Sequence, residues 1–263
     1  MTPLQTVRQR LSQGMPVFGC WLASASSEAA EIIGHTGFDF VMIDQEHGSA
    51  DHGALRGMLQ ALAATPTAAL VRVPAVDAAV VKRVLDQGAD GILFPNVRSV
   101  AQAAQAVAAC RYPPQGQRGY GIGLARAGTY GINRDAYVAD QAAAVLVICQ
   151  IESREGVDAI GGMAALSGLD GLFIGPYDLS ASLGRLADFA APEVAGLLAE
   201  AKQTLNGCGR FWGCVPYPGC DDAALVAQGC RMVIAGSDIG FLREGAIARA
   251  DALRRLRQSE AGS

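Results

Sequence analysis

The stretch Asp39-Phe40-Val41-Met42-Ile43-Asp44-Gln45-Glu46-His47 carries an unbroken apolar run that ends in four polar side chains. A strand with one wet face alternates apolar and polar residues. A run this continuous reads instead as a strand covered on both faces, as in a parallel sheet. Seven more runs share this character, at 17–22, 69–73, 91–95, 145–151, 171–174, 210–215 and 231–235, each bounded by Gly, Pro or polar residues.

Between the runs lie segments with helical spacing: 27–34, 52–64, 78–87, 100–110, 192–206, 222–228 and 239–258. Several open on Ser, Asp or Pro, as helix starts do. Strand and helix alternating in this way predict a (β/α)8 TIM barrel, an α/β fold, with residues 1–263 forming a single domain. The competitor, a doubly wound open sheet, more often carries a glycine-rich turn after its first strand. Here that turn is Ala23-Ser24-Ala25-Ser26. One connection, 112–141, is long for a compact domain and reads as a flexible lid or an interface arm. No short repeat is evident beyond the strand–helix rhythm.

Composition excludes several classes. Only 17% of the 263 residues are charged and the net charge is −4. A nucleic-acid partner would need a Lys/Arg footprint that is missing. No stretch is long and apolar enough to span a membrane. The first fifteen residues carry Arg8 and Arg10 without an apolar core, so they do not read as a signal peptide. The seven cysteines form no C-x-x-C pair, which favours buried thiols in a cytoplasmic protein over disulfides or zinc.

In a barrel of this type the loops after the strands build the site. Those loops hold Asp44-Gln45-Glu46-His47, Arg72, Gln150-Ile151-Glu152, Gly175-Pro176-Tyr177-Asp178 and Gly236-Ser237-Asp238. Glu152 and Asp178 end adjacent strands and offer a hard, oxygen-rich site for Mg²⁺, Mn²⁺ or a similar ion. The alternative is two loop carboxylates that cap helices, Asp178 as an N-cap. Arg72 needs an anion, either a substrate carboxylate or phosphate or a neighbouring acidic side chain. Of three histidines only His47 ends a strand, which makes it the candidate general base, with Asp44 or another carboxylate to orient it. The two lysines, Lys82 and Lys202, fall inside helices, so imine chemistry is disfavoured.

At these residues the sequence resembles the HpcH/HpaI aldolase/citrate lyase family, within its class II pyruvate-dependent aldolases. The matching stretches are Gly37 to Gly48, Val71-Arg72-Val73-Pro74, Arg111 to Gly119, Gln150-Ile151-Glu152-Ser153 and Phe173 to Ser180. The resemblance implies that Glu152 and Asp178 ligate a divalent ion (Mg²⁺, Mn²⁺ or Co²⁺), with no organic cofactor. It implies that Gln150 and the backbone from Gly175 through Tyr177 to Asp178 hold the pyruvate unit, that Arg72 stabilises the enolate, and that His47 is the acid/base. Asp86 matches the carboxylate that raises the basicity of that histidine. On the strand map it would have to reach from a neighbouring subunit, which suits a family that is hexameric and exchanges its C-terminal helix. Tyr177 departs from the small or amide residue often found there in relatives.

The implied reaction is reversible cleavage of a 4-hydroxy-2-oxo acid, such as 4-hydroxy-2-oxoheptanedioate, to pyruvate and an aldehyde. A sugar-acid aldolase or an oxaloacetate decarboxylase would use the same site. A CoA-thioester lyase is disfavoured by the absence of a basic groove. A non-catalytic barrel that binds a keto acid or a metal would bind ligand without turnover.

Overall fold

The computed structural model describes residues 1–261. Eight parallel strands close into a barrel in chain order, β1 to β8. They are β1 Val17–Leu22, β2 Phe40–Asp44, β3 Ala68–Arg72, β4 Gly91–Phe94, β5 Leu146–Ile151, β6 Gly171–Ile174, β7 Phe211–Cys214 and β8 Met232–Ser237. Every predicted strand is present, within two residues at either end. The main helices are α1 Pro3–Ser12, α2 Ser27–Gly34, α3 His52–Leu62, α4 Ala78–Asp86, α5 Val100–Cys110, α6 Arg154–Asp158 and α7 Ile160–Ala164. They continue with α8 Pro176–Ser182, α9 Pro192–Gly207, α10 Asp222–Ala227 and α11 Asp238–Ala261. Among the described residues, no helix is long and apolar enough to cross a membrane.

Alternate strand residues point to opposite faces. The outward set packs on the helices, and the inward set fills the barrel with Val17, Phe40, Met42, Leu70, Leu93, Leu146, Ile148, Phe173, Met232 and Ile234. The interior is tight enough to require glycine opposite aromatic rings. A Cβ on Gly171 would lie 2.3 Å from the Phe211 ring.

Helix α1, unforeseen in the sequence, closes the N-terminal end. Thr2 caps it reciprocally with Gln5, and Pro3 occupies its first turn. Leu4, Val7 and Leu11 join the interior cluster. Arg8 reaches Asp170 at 2.9 Å, and Arg10 pairs with Asp39.

Those two aspartates belong to a repeat finer than the strand–helix rhythm. Gly37-Phe38-Asp39, Gly88-Ala89-Asp90 and Gly168-Leu169-Asp170 precede β2, β4 and β6, and each glycine has positive φ. Each carboxylate accepts the backbone N–H of the preceding strand: Asp39 from Phe18, Asp90 from Ala69 and Asp170 from Val147, all at 2.8 Å. Each aspartate N–H donates back to the carbonyl of the same residue. Before β8 the motif is Gly229-Cys230-Arg231, with arginine in the third place.

The 112–141 connection is pinned rather than free. The buried Arg118 donates to Asp86 at 2.7 Å and to the Tyr137 hydroxyl at 3.0 Å. Arg126 donates to the carbonyls of Gln87 and Leu59. Ile122, Ala125, Tyr137 and Ala142 form a small core of its own. Leu124 and Ile132 remain exposed on it.

Asp90 shows what the repeat costs. Desolvation lifts its carboxyl to about 6, against the Ala69 N–H and the Arg126 charge. The native state therefore keeps a proton that the unfolded chain has lost between about pH 4 and 6, and stability falls as pH rises through that window. In urea unfolding, Asp90→Asn is expected to be more stable than the parent at pH 7.5, by on the order of 1–3 kcal/mol, with the gap closing towards pH 4. A gap independent of pH would contradict this account.

Candidate active site

Strand alternation carries polar residues into the mouth. The inward series on β2 runs Phe40, Met42, Asp44, and that on β3 runs Ala68, Leu70, Arg72. The strand register places Asp44 directly beside Arg72. Two buried, oppositely charged side chains on neighbouring strands form a bidentate pair, with Arg72 Nε to Asp44 Oδ1 at 2.9 Å and Nη2 to Oδ2 at 2.7 Å. Desolvation pushes the Asp44 carboxyl up. The Arg72 hydrogen bonds and charge, with the N–H groups of Glu46 and His47, outweigh it and leave it below its ordinary value.

Those N–H groups, 3.0 and 3.3 Å from Asp44 Oδ1, also set the turn of the chain after β2. The Trp21 ring lies 4.3 Å from the guanidinium carbon and covers its face. Arg72 Nη1 faces the cavity, 3.0 Å from Glu46 Oε2, yet that oxygen accepts no hydrogen bond. Arg72 thus has the carboxylate partners that were the alternative to a substrate anion, and still presents one end of its guanidinium to the mouth.

Gln150 ends the inward series of β5, and Glu152 follows it. Both crowd against the backbone of Gly175, where a Cβ would lie 2.5 Å from Glu152 Oε1 and 2.8 Å from Gln150 Nε2. Glycine is required for that approach. Glu152 Oε2 accepts the Asn96 N–H at 2.8 Å, and Asn96 takes the left-handed conformation with φ 50°. Desolvation, with the charges of Asp178 and Glu46, pushes the Glu152 carboxyl up to about 7. Desolvation also raises Glu46, with Arg72 opposing. Asp178 lies in the first turn of α8, whose N-cap is Gly175, so it is not the capping residue.

A cavity of about 400 Å³ is lined by Trp21, His47, Arg72, Gln150, Tyr177 and Asp178, among others. A smaller one of about 270 Å³ adjoins it and includes Glu46, Asn96, Glu152 and Asp178. The structure thus brings together His47, Arg72, Asp44, Gln150, Glu152, Gly175, Tyr177 and Asp178. The mutually repelling carboxylates Glu152 and Asp178 and the unpaired Oε1 of Gln150 suit a hard cation. Among the described residues no group of three or more His, Cys, Asp or Glu is arranged to hold a metal. The donor set fits a two-carboxylate site completed by water and substrate oxygens.

Two expectations change, those for Asp44 and Asp238. Asp44 does not orient the His47 ring, because both its oxygens are committed to Arg72 and to backbone. The carboxylate beside the imidazole is Glu46, 3.9 Å from Nε2, and the histidine side chain is 67% exposed. Asp238 is a structural clamp, accepting the N–H groups of Ala23 and Ser24 and so fastening the end of β8 to the loop after β1. Asp86 lies on α4, bonded to Arg118 and facing a separate cavity with His52 and Lys82. Within one chain it does not meet His47. Lys82 lines that outer cavity, and Lys202 bonds Tyr217 and Gln228, so neither lysine reaches the mouth. Trp21 and Asn96 are mouth residues that sequence reasoning passed over, and Glu46 was read only as one of the polar residues after β2. For Trp21 the signal was its place in the alternation of β1.

The family model described as HpcH/HpaI aldolase/citrate lyase matches residues 17–244. The chain belongs to the HpcH/HpaI aldolase/citrate lyase family. A hydroxypyruvate/pyruvate aldolase of Roseobacter denitrificans is 37% identical over 91% of this chain and 93% of its own length. A 5-keto-4-deoxy-D-glucarate aldolase of Klebsiella pneumoniae is 37% identical over 90% of this chain and 92% of its own. A crystal structure of an HpcH/HpaI family protein from Burkholderia cenocepacia superposes with a TM-score of 0.87 at 37% identity, covering 96% and 99% of the two chains. This HpcH/HpaI barrel therefore places its inward polar ladder on a fold shared along its length with solved relatives.

Removing one partner of the mouth pair leaves a buried charge alone. Arg72→Met is expected to lower unfolding stability by about 3–5 kcal/mol, and Asp44→Asn in the same chain to recover part of that loss. Denaturant titration of the two single variants and the double reads it, and additive losses would show that the pair is not coupled.

Proposed function

We propose that this chain is a divalent-metal-dependent aldolase, a carbon–carbon lyase that cleaves and forms 4-hydroxy-2-oxo acids, with pyruvate or hydroxypyruvate as the half that becomes an enolate. The observation that carries the reading is the uncompensated acidic pair Glu152 and Asp178 beside Arg72 and Gln150 in one mouth. The names of the relatives favour hydroxypyruvate, pyruvate and a keto-deoxy sugar acid over 4-hydroxy-2-oxoheptanedioate as the substrate class.

In the cleavage direction His47 takes the proton of the C4 hydroxyl, directly or through water. The C3–C4 bond breaks, C4 becomes the aldehyde carbon, and the bond's electron pair forms the enolate of the remaining three-carbon unit. Arg72 Nη1 holds negative charge at the keto oxygen, already fixed in direction by Asp44 and Trp21, so little reorganisation is needed during reaction. Gln150 and the backbone at Gly175 orient the acid end. An ion such as Mg²⁺, Mn²⁺ or Co²⁺ held by Glu152 and Asp178 supplies, when bound, Lewis-acid charge to the same oxygens. Protonation at C3 releases pyruvate. Oxaloacetate decarboxylation would pass through the same enolate.

Asp86 acts, on this reading, on the His47 of a second copy in a homo-hexamer with exchanged C-terminal helices. The exposure of Leu242 and Ile247 on α11 supports that assembly.

Pyruvate release from a series of 4-hydroxy-2-oxo acids, with each metal and with EDTA, tests the reading. Activity should need the metal. His47→Ala and Arg72→Ala should each lower kcat by about 10²-fold to 10⁴-fold. Gly175→Ala, which displaces Glu152 and Gln150, should lower it by at least about 10²-fold while the circular dichroism spectrum is kept. Ligand binding with no turnover on any substrate would instead make the barrel a binding protein. Pyruvate formed in EDTA would end the metal mechanism.

A further inference from the structure

Tyr177 and Pro216 line two cavities at once. One is the mouth; the other, of about 500 Å³, lies outside it in the loop after β7 and is lined by Tyr217, Pro218, Cys220 and Asp221. Tyr177 thus stands where the two cavities meet, and its position is built rather than incidental. Its ring meets Phe189 edge-on at 5.1 Å, and Phe189 meets Tyr217 at 4.8 Å. The Tyr217 hydroxyl accepts a hydrogen bond from Lys202 at 2.7 Å, and Lys202 also donates to Gln228 at 2.6 Å.

The loop that delivers Phe189 is anchored by the fully buried Ser180. Its hydroxyl donates to the Tyr177 carbonyl at 2.6 Å and accepts the Ala187 N–H at 2.9 Å. Ala187 itself holds φ 57°, a conformation costly for a residue with a Cβ. A strained alanine, a buried serine and one of the chain's two lysines therefore converge on setting a single aromatic wall.

Resting on the proposed aldolase reading, the end of the mouth with Arg72 and Gln150 takes the keto acid, which leaves the wall formed by Tyr177, Val215 and Pro216 for the aldehyde. The outer cavity continues that wall. No Lys, Arg or His lines it, and its one carboxylate, Asp221, caps α10 by accepting the Ala224 N–H. A carboxylate tail there would face Asp221, and the ammonium behind the wall, Lys202, is already committed to Tyr217 and Gln228. By contrast, an arginine, Arg98, lines the smaller cavity that holds Glu152.

We propose that the outer cavity binds the tail of the acceptor aldehyde, that it selects neutral, apolar tails over carboxylate-bearing ones, and that Phe189 is the positioning residue that sets its width. Phe189 stands behind Tyr177 and acts through it.

The test uses the metal-loaded full chain. Exchange of the pyruvate methyl protons in D₂O, followed by NMR without any aldehyde, reads enolate formation alone. Aldol addition of pyruvate to butanal and to succinic semialdehyde then reads the acceptor site. Butanal is expected to be favoured by about tenfold or more in kcat/KM. Phe189→Ala should reduce that preference about fivefold or more, chiefly through a higher KM for butanal, with methyl exchange within about twofold of the parent. Phe189→Tyr should restore the preference.

Methyl exchange with equal use of the two aldehydes overturns the inference and leaves the aldolase reading standing. So does a loss in Phe189→Ala that is the same for exchange and for both additions, since that is a purely structural effect. No methyl exchange in the parent chain overturns the aldolase reading and this inference with it.

Discussion

The mouth of this barrel depends on one buried ion pair. Asp44 and Arg72 are neighbours because the strand register makes them so, and both point inward because of where they fall in the alternation of their strands. Neither charge could be kept there alone. Together they fix the guanidinium against Trp21, determine the turn that carries Glu46 and His47, and leave one edge of the arginine facing the cavity. A shift of register by one residue would turn every inward residue of β2 or β3 outward and dissolve the site.

Around that pair sits a group of carboxylates with little positive charge to share, since Arg72 serves Glu46 as well as Asp44. Glu152 has lost most of its water, faces two other acids and keeps one backbone N–H from Asn96. Such an arrangement is unfavourable for folding, and the compact interior beneath it must offset the cost. It is also what a site needs when its task is to hold positive charge beside a developing anion. Gln150 Oε1 accepts no hydrogen bond in this mouth, whereas the inward residues deeper in the barrel are apolar.

The eight strands were legible because burial on both faces leaves continuous apolar runs, which few other structures produce. The mouth was legible in outline for the same reason: a polar residue ending such a run has nowhere else to be. What escaped the sequence depended on partners distant along the chain. Helix α1 is short and mostly polar, and only the barrel floor explains its three apolar residues. Helices α6 and α7 are five residues each, parted at Ala159, and too short to show a period. The Gly-x-Asp repeat is three residues long and gains meaning only when each aspartate is seen to pair with the strand before it. That Glu46 rather than Asp44 stands by His47 could not be read from spacing, since it follows from how Arg72 occupies Asp44. Asp86 lies, as the strand map placed it, outside the mouth of its own chain, fixed by Arg118.

The latch of α1 also has a bearing on the order of synthesis. Arg8 binds Asp170, 162 residues further along the chain. Helix α1 therefore cannot seat until the segment before β6 has been made, and the Asp238 clamp on Ala23 and Ser24 waits longer still. A segment synthesised before the barrel strands finds its place only after most of them, and until then the floor of the barrel stands open with its apolar interior facing water. Three apolar side chains on one amphipathic helix are a modest surface to keep exposed during that interval, which is one reason for the lid of this floor to be small and otherwise polar.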